Sequence, residues 1–358
     1  MENIALGIVT KDRYYGRALS LAIITVHPEF SVTLFEVNQL YKAIEMDLDL
    51  ILSDLPKEDM PRVIQLVDKP SMVIRDSDKG NFALYKYGNV RKMTGDILFI
   101  YSNITGRKPV GMKTMKVKVV AVGSSEGGVG CTSVALALAQ EYTRYRGGRA
   151  LYLSMEELES TLIYMEGDPK GRGMGEYLYH IFHSQNFSPT FLEGYLLRDS
   201  YGVEAFGPSK GRNLLLELSE EEFAQFFTGI VESARYKLIV IDVGTNMSKV
   251  SMCAYNVAKK IIFIERQNST SIRGKGFLNY LAFIQGNEVW GKIVKAVNFS
   301  YRGHIHMEEE GDPVSFYLPR DDGSFYSGEK TNWISIDNGF GLGIKKISEF
   351  IERNLTQI

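Results

Sequence analysis

The stretch from Lys116 to Gln140, KVKVVAVGSSEGGVGCTSVALALAQ, constrains the fold more than any other part of the chain. Its valine-rich run, residues 117–122, ends at Gly123 and is typical of a buried parallel strand. Apolar residues then recur at helical spacing from Ser133 to Tyr145, and the pair Gly147-Gly148 marks a helix end. The sequence therefore predicts a strand, a glycine-rich turn and a helix in immediate succession.

The glycine-rich turn has the composition of a phosphate-binding loop. It comprises Glu126, Gly127, Gly128, Val129, Gly130, Cys131, Thr132 and Ser133. Successive backbone N–H groups of such a turn point inward, the dipole of the following helix favours an anion, and glycine allows close approach. A hydroxyl at the helix start, here Thr132, can hold Mg²⁺ beside bound phosphates. A tight strand-to-helix turn without a ligand is the alternative, and the flanking strand and helix argue against it.

The loop resembles the deviant Walker A loop of the MinD/ParA ATPase family, lysine-Gly-Gly-x-Gly-lysine-Thr-Thr/Ser. That pattern holds at Gly127, Gly128, Val129, Gly130, Thr132 and Ser133. Glu126 replaces the first lysine of the pattern, and Cys131 replaces the second. The resemblance implies ATP and Mg²⁺ as cofactors, bound at residues 126–133, and a homodimer that encloses ATP. In the family the first lysine reaches the partner's nucleotide, so Glu126 rules out the usual contact between protomers.

Composition and charge restrict the class of protein. The 358 residues are enough for two domains with a core each, and the formal net charge of −2 argues against binding nucleic acid through bulk electrostatics. The two cysteines form no disulfide framework, which fits a reducing cytoplasm. The N-terminal MENIALGIVTKDR lacks the pattern of a signal peptide, and no apolar run reaches the ~18 residues of a membrane span. We therefore expect a soluble cytoplasmic protein without a nucleic-acid partner.

Residues 1–103 are predicted to form a doubly wound α/β domain of the flavodoxin-like type, because strands and helices alternate and parallel crossovers are right-handed. The predicted strands cover residues 4–10, 31–35, 50–52, 71–74 and 97–101, and the predicted helices cover residues 14–26, 38–46, 57–66 and 82–93.

Asp54 follows the third predicted strand and resembles the phospho-acceptor of response-regulator receiver domains. The acidic pair of that family falls here on Thr10 and Lys11, and its lysine, which follows the fifth strand, falls within residues 101–103. The Gly/Pro/Lys-rich segment 104–115 is interpreted as a linker in place of the last receiver helix. We therefore expect an atypical receiver domain that docks partners, with phosphorylation of Asp54 as the alternative.

Residues 116–358 are predicted to form a second doubly wound domain, a P-loop NTPase of the MinD/ParA type. Asp242 ends the buried strand 237–241, and an acid there, after a phosphate loop, indicates a residue that holds Mg²⁺ through water. Glu156 follows the strand 150–153, where the family has a carboxylate near Mg²⁺ and the attacking water. Glu156 and Asp242 are the candidate catalytic residues, and Thr132 and Asp242 are the candidate metal ligands. For Glu156, a solvated residue in an acidic run is an equally open interpretation.

Three further site residues rest on the resemblance. In the family an asparagine at a strand end binds the adenine edge, and a later loop with proline packs on the base. Asn298, Pro319 and Arg320 match those positions. Lys170, Arg172 and Lys259 are candidates to replace the lost lysines, a question that the sequence leaves open.

An atypical receiver domain followed by a deviant-Walker ATPase is similar to the layout of the TadZ/CpaE pilus-assembly family. The resemblance implies an ATP-binding, weakly hydrolysing assembly or localisation protein of a Tad (Flp-type) pilus system. It also implies other pilus-assembly proteins as partners, membrane association only through them, and a place at the cell pole or the inner-membrane face. The alternatives are a nucleotide-free scaffold and a ParA-like partition ATPase.

Overall fold

The structure is a computed structural model that describes residues 4–28, 30–56, 62–69, 72, 74–76, 81–88, 90–105, 117–166, 172–183, 192, 194–267, 271–300, 315–329 and 331–355. The chain divides into two compact units, residues 1–113 with 179–194, and residues 114–178 with 195–358. The two are called the N-terminal and the C-terminal unit below.

The N-terminal unit has one sheet and three helices among its described residues in the range 4–105. Its strands are β1 (Ile4–Val9), β2 (Phe30–Phe35), β3 (Leu50–Ser53), β4 (Val63–Val67), β5 (Ile74–Asp76) and β6 (Asn81–Tyr85), and its helices are α1 (Arg13–Val26), α2 (Leu40–Glu45) and α3 (Val90–Thr105). The strand order is β2-β1-β3-β4-β6-β5, and every pair is parallel except β5 with β6. This is a doubly wound sheet with an antiparallel edge strand, as the fold class predicted.

Several secondary-structure predictions for residues 57–103 are wrong. Residues 63–66, predicted as helix, lie in strand β4, and residues 82–85, predicted as helix, lie in strand β6. Residues 97–101, predicted as a strand, lie inside helix α3, where Met93, Ile97, Ile100 and Tyr101 are buried at helical spacing. Short apolar runs do not distinguish a strand from a buried helix by periodicity. Residues 57–61 of the predicted helix lie outside the described residues.

A helix near the end of this unit, which the sequence analysis interpreted as replaced by a linker, is therefore present as α3. It continues to Thr105, two residues into the predicted linker. The fifth parallel strand is β6 instead of residues 97–101, and Lys86 follows it directly.

The C-terminal unit contains the remaining elements, except for the part of helix α6 (Met174–His183) from Tyr179 onward, which belongs to the N-terminal unit. Its longer strands are β7 (Lys118–Gly123), β8 (Ala150–Ser154), β11 (Leu238–Gly244), β12 (Lys260–Arg266), β13 (Ile293–Ser300) and β14 (Phe316–Pro319), and its short strands are β9 (Leu196–Arg198), β10 (Glu204–Phe206), β15 (Phe325–Ser327) and β16 (Asn332–Ile334). Its helices are α4 (Cys131–Tyr145), α5 (Thr161–Tyr164), α6 (Met174–His183), α7 (Glu220–Glu232), α8 (Lys249–Val257), α9 (Ser271–Gln285) and α10 (Gly339–Leu355).

The large sheet of this unit has the order β14-β13-β12-β7-β11-β8-β10-β9, parallel except for β9. Valine- and isoleucine-rich strands occupy its centre, because a parallel strand covered on both faces is apolar along its whole length. The second predicted doubly wound unit is confirmed.

The C-terminal helix belongs to the core, as predicted. In α10 the side chains of Phe340, Ile344, Ile347 and Ile351 are buried, and the helix packs on α4 and β14. Its apolar face is therefore already covered within this unit. Among the described residues, no helix is both long enough and apolar enough to cross a bilayer.

A buried ion cluster joins strands β9 and β10 to the segment before β11. The Glu204 carboxylate is 2% exposed and binds Arg198, Arg235 (Nε to Oε2, 2.6 Å) and the Tyr236 hydroxyl (2.9 Å). Burial alone would raise the pKa of Glu204, but the Arg235 and Arg198 guanidinium groups overcome it and hold that pKa at about 2.

This cluster predicts an acid-dependent loss of stability. The pKa of Glu204 is lower in the folded than in the unfolded chain, so its contribution is complete above pH 4.5 and is lost as the pH falls towards 2. We expect this carboxylate to account for a loss of about 2 kcal/mol in the free energy of unfolding between pH 4.5 and pH 3. Urea unfolding of wild type and Glu204→Gln at both pH values measures it. The variant should lose less stability over this interval, and equal losses would contradict the assignment.

Candidate functional site

The loop between β7 and α4 lies at the carboxyl edge of the large sheet. β7 has β12 on one side and β11 on the other, so the chain order reverses at this strand. Ligands of open α/β sheets bind at such a point. Helix α4 begins at Cys131, two residues earlier than predicted. The loop thus occupies the position in the fold at which phosphate binding is expected.

Two loop glycines have backbone conformations that favour glycine. The angle φ is +71° at Gly128 and +95° at Gly130. A Cβ atom on Gly130 would lie 2.5 Å from Asn298 Nδ2, whereas a Cβ on Gly127 or Gly128 would meet no atom within 4 Å. The glycine at position 130 is thus needed for space as well as for conformation, and those at 127 and 128 leave the loop surface open for a ligand.

A cavity of about 610 Å³ opens beside the loop. Its lining comes from three segments, residues 126–132, 155–157 and 243–247. Among the predicted site residues, the lining includes Glu126, Gly127, Gly128, Val129, Gly130, Cys131, Thr132 and Glu156. The predicted residues Ser133, Asp242, Asn298, Pro319 and Arg320 are not part of that lining.

Asp242 lies beneath this cavity, fully buried near the end of β11 and in register with Val122 of β7 and Ser154 of β8. Its Oδ2 atom accepts a hydrogen bond from the Tyr152 hydroxyl at 2.9 Å, and its Oδ1 atom has no hydrogen-bond partner among the described residues. Burial raises the pKa of Asp242 to about 6, with a contribution from the Glu156 charge and an opposing one from the Thr132 hydroxyl. A buried carboxylate oxygen without a donor is suited to a cation.

Glu156 is held at the edge of the cavity and faces Thr132. The Thr132 hydroxyl donates to its Oε1 atom at 3.3 Å. The Ser160 hydroxyl (2.6 Å) and backbone N–H (3.0 Å) donate to Oε2, as does the Ser154 hydroxyl at 3.2 Å. These bonds fix the carboxylate beside the loop, so it is ordered and not freely solvated, and its catalytic role stays a prediction.

Oxygen atoms dominate this group, and they are the ligands that Mg²⁺ prefers. The Thr132 hydroxyl and the unpaired Asp242 oxygen could hold such an ion, with Glu156 close enough to bind its water. Among the described residues, no cluster of three or more His, Cys, Asp or Glu side chains forms a ready metal site.

Among the described residues, the charged side chains of the cavity lining are all acidic. They are Glu126, Glu156 and Glu157, and the described lining contains no lysine or arginine. Cys131, at the position of the second family lysine, is buried, and burial raises the pKa of its thiol well above the usual value. Neither lysine position therefore supplies a cation.

Of the candidates to replace these lysines, Arg172 and Lys259 do not reach the cavity. Arg172 lies over the Tyr195 ring, 5.8 Å from its centroid. Lys259 lies next to the amino end of β12, where its N–H donates to Val119 O, so a strand length separates it from the loop. Lys170 lies outside the described residues.

Arg266 is the cation that sequence reasoning missed. It ends β12, and its Nη2 donates to the Gly128 carbonyl at 2.9 Å, while the guanidinium lies over the Phe299 ring. Its contact with the loop is to a backbone carbonyl oxygen, and Arg266 is not part of the described cavity lining. The signal that could have identified Arg266 is its position at the carboxyl end of β12, a strand adjacent to β7. This position becomes known only when the order of the strands in the sheet is known.

Asn298 supports the loop in this structure. Its Nδ2 donates to the Val129 carbonyl at 2.8 Å, and its Oδ1 accepts the N–H of Phe299, a residue with φ of +56°. The register of β13 with β14 shifts at this point, as at a β-bulge, which is a common device next to functional sites. The predicted contact of Asn298 with adenine stays a prediction. It requires the Asn298 amide to give up one of these two hydrogen bonds.

Pro319 and Arg320 lie at the end of β14. Pro319 is in register with Ser300 of β13, and the Arg320 N–H donates to the Ser300 carbonyl at 3.2 Å. The Arg320 guanidinium binds Asp322 at 3.2 Å. Their contact with a nucleotide base stays a prediction. Ser133 lies in the first turn of α4, close enough to the Tyr164 hydroxyl to hydrogen bond to it.

The N-terminal unit contains a second group of site residues, around Asp54. Its Oδ2 atom accepts hydrogen bonds from Thr10 Oγ1 at 2.6 Å and Lys86 Nζ at 2.7 Å, and Oδ1 accepts the Lys11 N–H at 3.0 Å. Burial alone would raise the pKa of Asp54, but the bonds from Lys86 and Thr10 outweigh it and lower that pKa. The Lys86 ammonium also lies 4.9 Å from the centroid of the Tyr15 ring.

The expectation that the receiver lysine is missing is therefore wrong. The lysine is Lys86, which follows β6, and the error came from predicting the fifth strand at residues 97–101. Thr10 and Lys11 still stand where the resemblance to a receiver domain implies an acidic pair. Both Asp54 oxygens are occupied without a metal ion.

We expect acetyl phosphate not to label Asp54. Phosphoryl transfer needs Mg²⁺ and a free carboxylate oxygen, and here a hydroxyl and an ammonium already occupy the carboxylate. The mass of the intact protein after incubation with acetyl phosphate and Mg²⁺ measures this. A phosphorylated wild type beside an unmodified Asp54→Asn variant would contradict the expectation.

Comparisons with known proteins agree on the fold. No protein-family model matches the chain, and no curated protein matches it. Two structures of Cobyrinic Acid a,c-diamide synthase from Mycobacterium smegmatis match it, one with a bound ATP analog and magnesium and one with ADP and magnesium. Both are 14% identical and cover 67% of this chain and 96% of the other, with TM-scores of 0.52 and 0.51. The MinD cell division protein of Aquifex aeolicus, also 14% identical over 66% of this chain and 98% of its own, has a TM-score of 0.47, too low to carry an argument.

Identities this low show a shared fold and nothing of the activity. They confirm the predicted fold class, a doubly wound α/β fold in the C-terminal part of the chain.

Proposed function

We propose that this chain is an ATP-binding protein that requires Mg²⁺, hydrolyses ATP slowly and uses the nucleotide to favour a homodimer. One observation carries the proposal. At the carboxyl edge of the sheet, a glycine loop with an open surface meets a hydroxyl (Thr132), a buried carboxylate with an unpaired oxygen (Asp242) and an oriented carboxylate (Glu156). The bound ATP analog, ADP and magnesium of the two similar structures support ATP and Mg²⁺ as the cofactors.

Each residue has a role that its position supports. The backbone N–H groups of the loop and the start of α4 bind the phosphates. Thr132 and Asp242 hold Mg²⁺, which neutralises phosphate charge when bound. Glu156 orients water near the terminal phosphate, since its carboxylate is fixed beside Thr132. Asn298, Pro319 and Arg320 are the proposed adenine contacts.

Hydrolysis is proposed to be slow because the cavity lacks the cations that stabilise phosphoryl transfer. Arginine or lysine groups aimed at the transferring phosphate typically account for several orders of magnitude in rate. Here the lysine positions hold Glu126 and Cys131, and the described lining has no basic side chain. The backbone, the helix dipole and Mg²⁺ are enough to bind a nucleotide, but they match the charge of the transition state poorly.

Sedimentation velocity tests the dimer. We expect the purified chain to be a monomer without nucleotide and a dimer at saturating Mg-ATP, because a second copy would close the open cavity over the phosphates. Thr132→Val, which removes the metal-binding hydroxyl and keeps the side-chain shape, should stay a monomer. A wild-type monomer at saturating Mg-ATP would contradict the proposal.

In the cell, we propose a role in the assembly or localisation of a Tad (Flp-type) pilus, in the cytoplasm at the pole or the inner-membrane face. The N-terminal unit is proposed to dock other pilus-assembly proteins. The Asp54 carboxylate is already paired with Lys86, which favours a binding role over phosphoryl transfer. Membrane association is proposed to occur only through these partners, and no nucleic-acid partner is proposed. Deletion of the gene in its own organism should abolish surface pili, and unchanged piliation would refute this role.

A nucleotide-free scaffold is the second candidate, and the carboxylates of the cavity favour it. Glu126, Glu156 and Glu157 repel a triphosphate unless a divalent cation intervenes. The two functions differ in one simple readout, because a ligand that binds only the folded state raises the melting temperature. A melting temperature that Mg-ATP leaves unchanged would favour the scaffold.

A further inference from the structure

A second cavity, of about 660 Å³, lies in the N-terminal unit between α1 and β2. Its lining includes Lys11, Arg13 and Arg17 on one side and Leu34, Phe35 and Glu36 on the other. It opens where β1 and β2 end, and ligands of open α/β sheets bind outside the carboxyl ends of the strands. Its volume lies within the range typical of small-molecule sites.

The charge of this cavity is positive. Lys11, Arg13 and Arg17 are exposed, and their side chains form no ion pair or hydrogen bond with a described residue, whereas Glu36 is the one acid in the part of the lining that the structure describes. The positive charge comes from side chains and not from the N-terminus of α1, because Asp12 Oδ1 already accepts the N–H groups of Tyr14 and Tyr15 there. Three cations against one carboxylate leave a net charge of about +2. A phosphate monoester, with a charge of about −1.5 to −2 at pH 7, matches that value.

The opposite wall of the cavity is apolar. Leu34 and Val37 are each 41% exposed and supply the apolar surface of this wall, whereas the Phe35 side chain packs on the opposite face of the sheet with Val9 and Ala43. Gly16 packs closely against Thr10, because a Cβ atom at position 16 would lie 2.8 Å from Thr10 Cγ2 and clash with it. The site thus combines guanidinium groups, which bind phosphate through paired N–H donors, with a surface for an apolar body.

We propose that this cavity binds a small phosphorylated molecule with an aromatic or apolar body, its phosphate on Arg13 and Arg17 and its body on Leu34 and Val37. The site is separate from the phosphate loop and does not depend on nucleotide binding there. It adjoins the Asp54 group, because Thr10 and Lys11 line the cavity and also bind Asp54. A ligand in the cavity would therefore contact the residues that hold Asp54 in place.

Calorimetric titration of the full chain with phenyl phosphate tests the proposal, in EDTA so that a metal-dependent phosphate-loop site is suppressed. Phenyl phosphate should bind at least tenfold more tightly than inorganic phosphate or phenol, because each of these engages only one wall. Arg17→Gln should weaken binding of phenyl phosphate about tenfold or more, the usual effect of losing a charge-assisted pair. Lys42→Gln, a matched loss of an exposed cation on α2 outside the cavity, should leave it unchanged.

Three results would overturn the proposal: no binding of phenyl phosphate to the wild type, equal binding to Arg17→Gln, or equal affinity for phenyl phosphate and inorganic phosphate. Arg17 is exposed, so its replacement leaves the fold intact. Arg13→Gln provides an independent variant of the same wall and should behave as Arg17→Gln does.

Discussion

Asp242→Asn is expected to weaken the binding of Mg-ATP by about tenfold to a hundredfold, the range seen when partners of a bound metal are removed. The substitution keeps the shape of the side chain and the contact with Tyr152, but it replaces the charged, unpaired oxygen beneath the loop by a neutral amide. The much weaker binding of ATP that remains in EDTA should be the same for both proteins, because it rests on the loop N–H groups alone. Calorimetric titration with and without Mg²⁺ measures both quantities.

Asp199→Asn is the matched control for this variant. Asp199 is also largely buried with a raised pKa, for which burial is the main cause, and it binds Gln140 and the N–H groups of Tyr201 and Val203 outside the cavity. It should leave the affinity for Mg-ATP unchanged. Equal affinities of wild type and Asp242→Asn for Mg-ATP would show that Asp242 does not serve the metal.

Three glycine-to-alanine substitutions in the loop should have graded effects, with the largest at Gly130. Gly127→Ala should be tolerated, because it has neither a positive φ nor a neighbour for the new Cβ. Gly128→Ala should cost about 1 kcal/mol of stability through its φ of +71° alone. Gly130→Ala combines a φ of +95° with a Cβ at 2.5 Å from Asn298 Nδ2, and it should also break the bond to Val129 O.

For Gly130→Ala we expect a loss of about 2–4 kcal/mol in the free energy of unfolding and no detectable Mg-ATP binding. Urea unfolding and calorimetry of the three variants, measured in parallel, test the series. A Gly130→Ala protein as stable as Gly127→Ala would contradict the supporting role of Asn298 under the loop.

The C-terminal unit was predictable because its central strands are continuous apolar runs bounded by glycine or acid. The strands at residues 117–122, 237–241 and 261–264 were all placed within a few residues of β7, β11 and β12. The capping box of α7, in which Ser219 and Glu222 bind each other's backbone N–H groups, also formed as predicted. Local patterns of this kind need no knowledge of the tertiary structure.

The N-terminal unit was harder because residues 81–101 contain two short apolar runs of ambiguous period. FALY was predicted as helix and is strand, whereas ILFIY was predicted as strand and is helix, which moved the fifth strand away from Lys86. The candidate site beside the glycine loop was likewise predictable only in part. The cavity residues adjacent along the chain were predictable, but the unpaired oxygen of Asp242, the contact of Arg266 with Gly128 and the contact of Asn298 with Val129 depend on how separate strands align.

Calorimetric titration of the wild-type chain with ATP, in Mg²⁺ and in EDTA, followed by phosphate release from the same sample, tests the central claim most directly. The account predicts Mg²⁺-dependent binding and release slower than about 1 s⁻¹, the lower end of kinase turnover. Absence of binding under both conditions would contradict it and leave a nucleotide-free scaffold as the function of this fold.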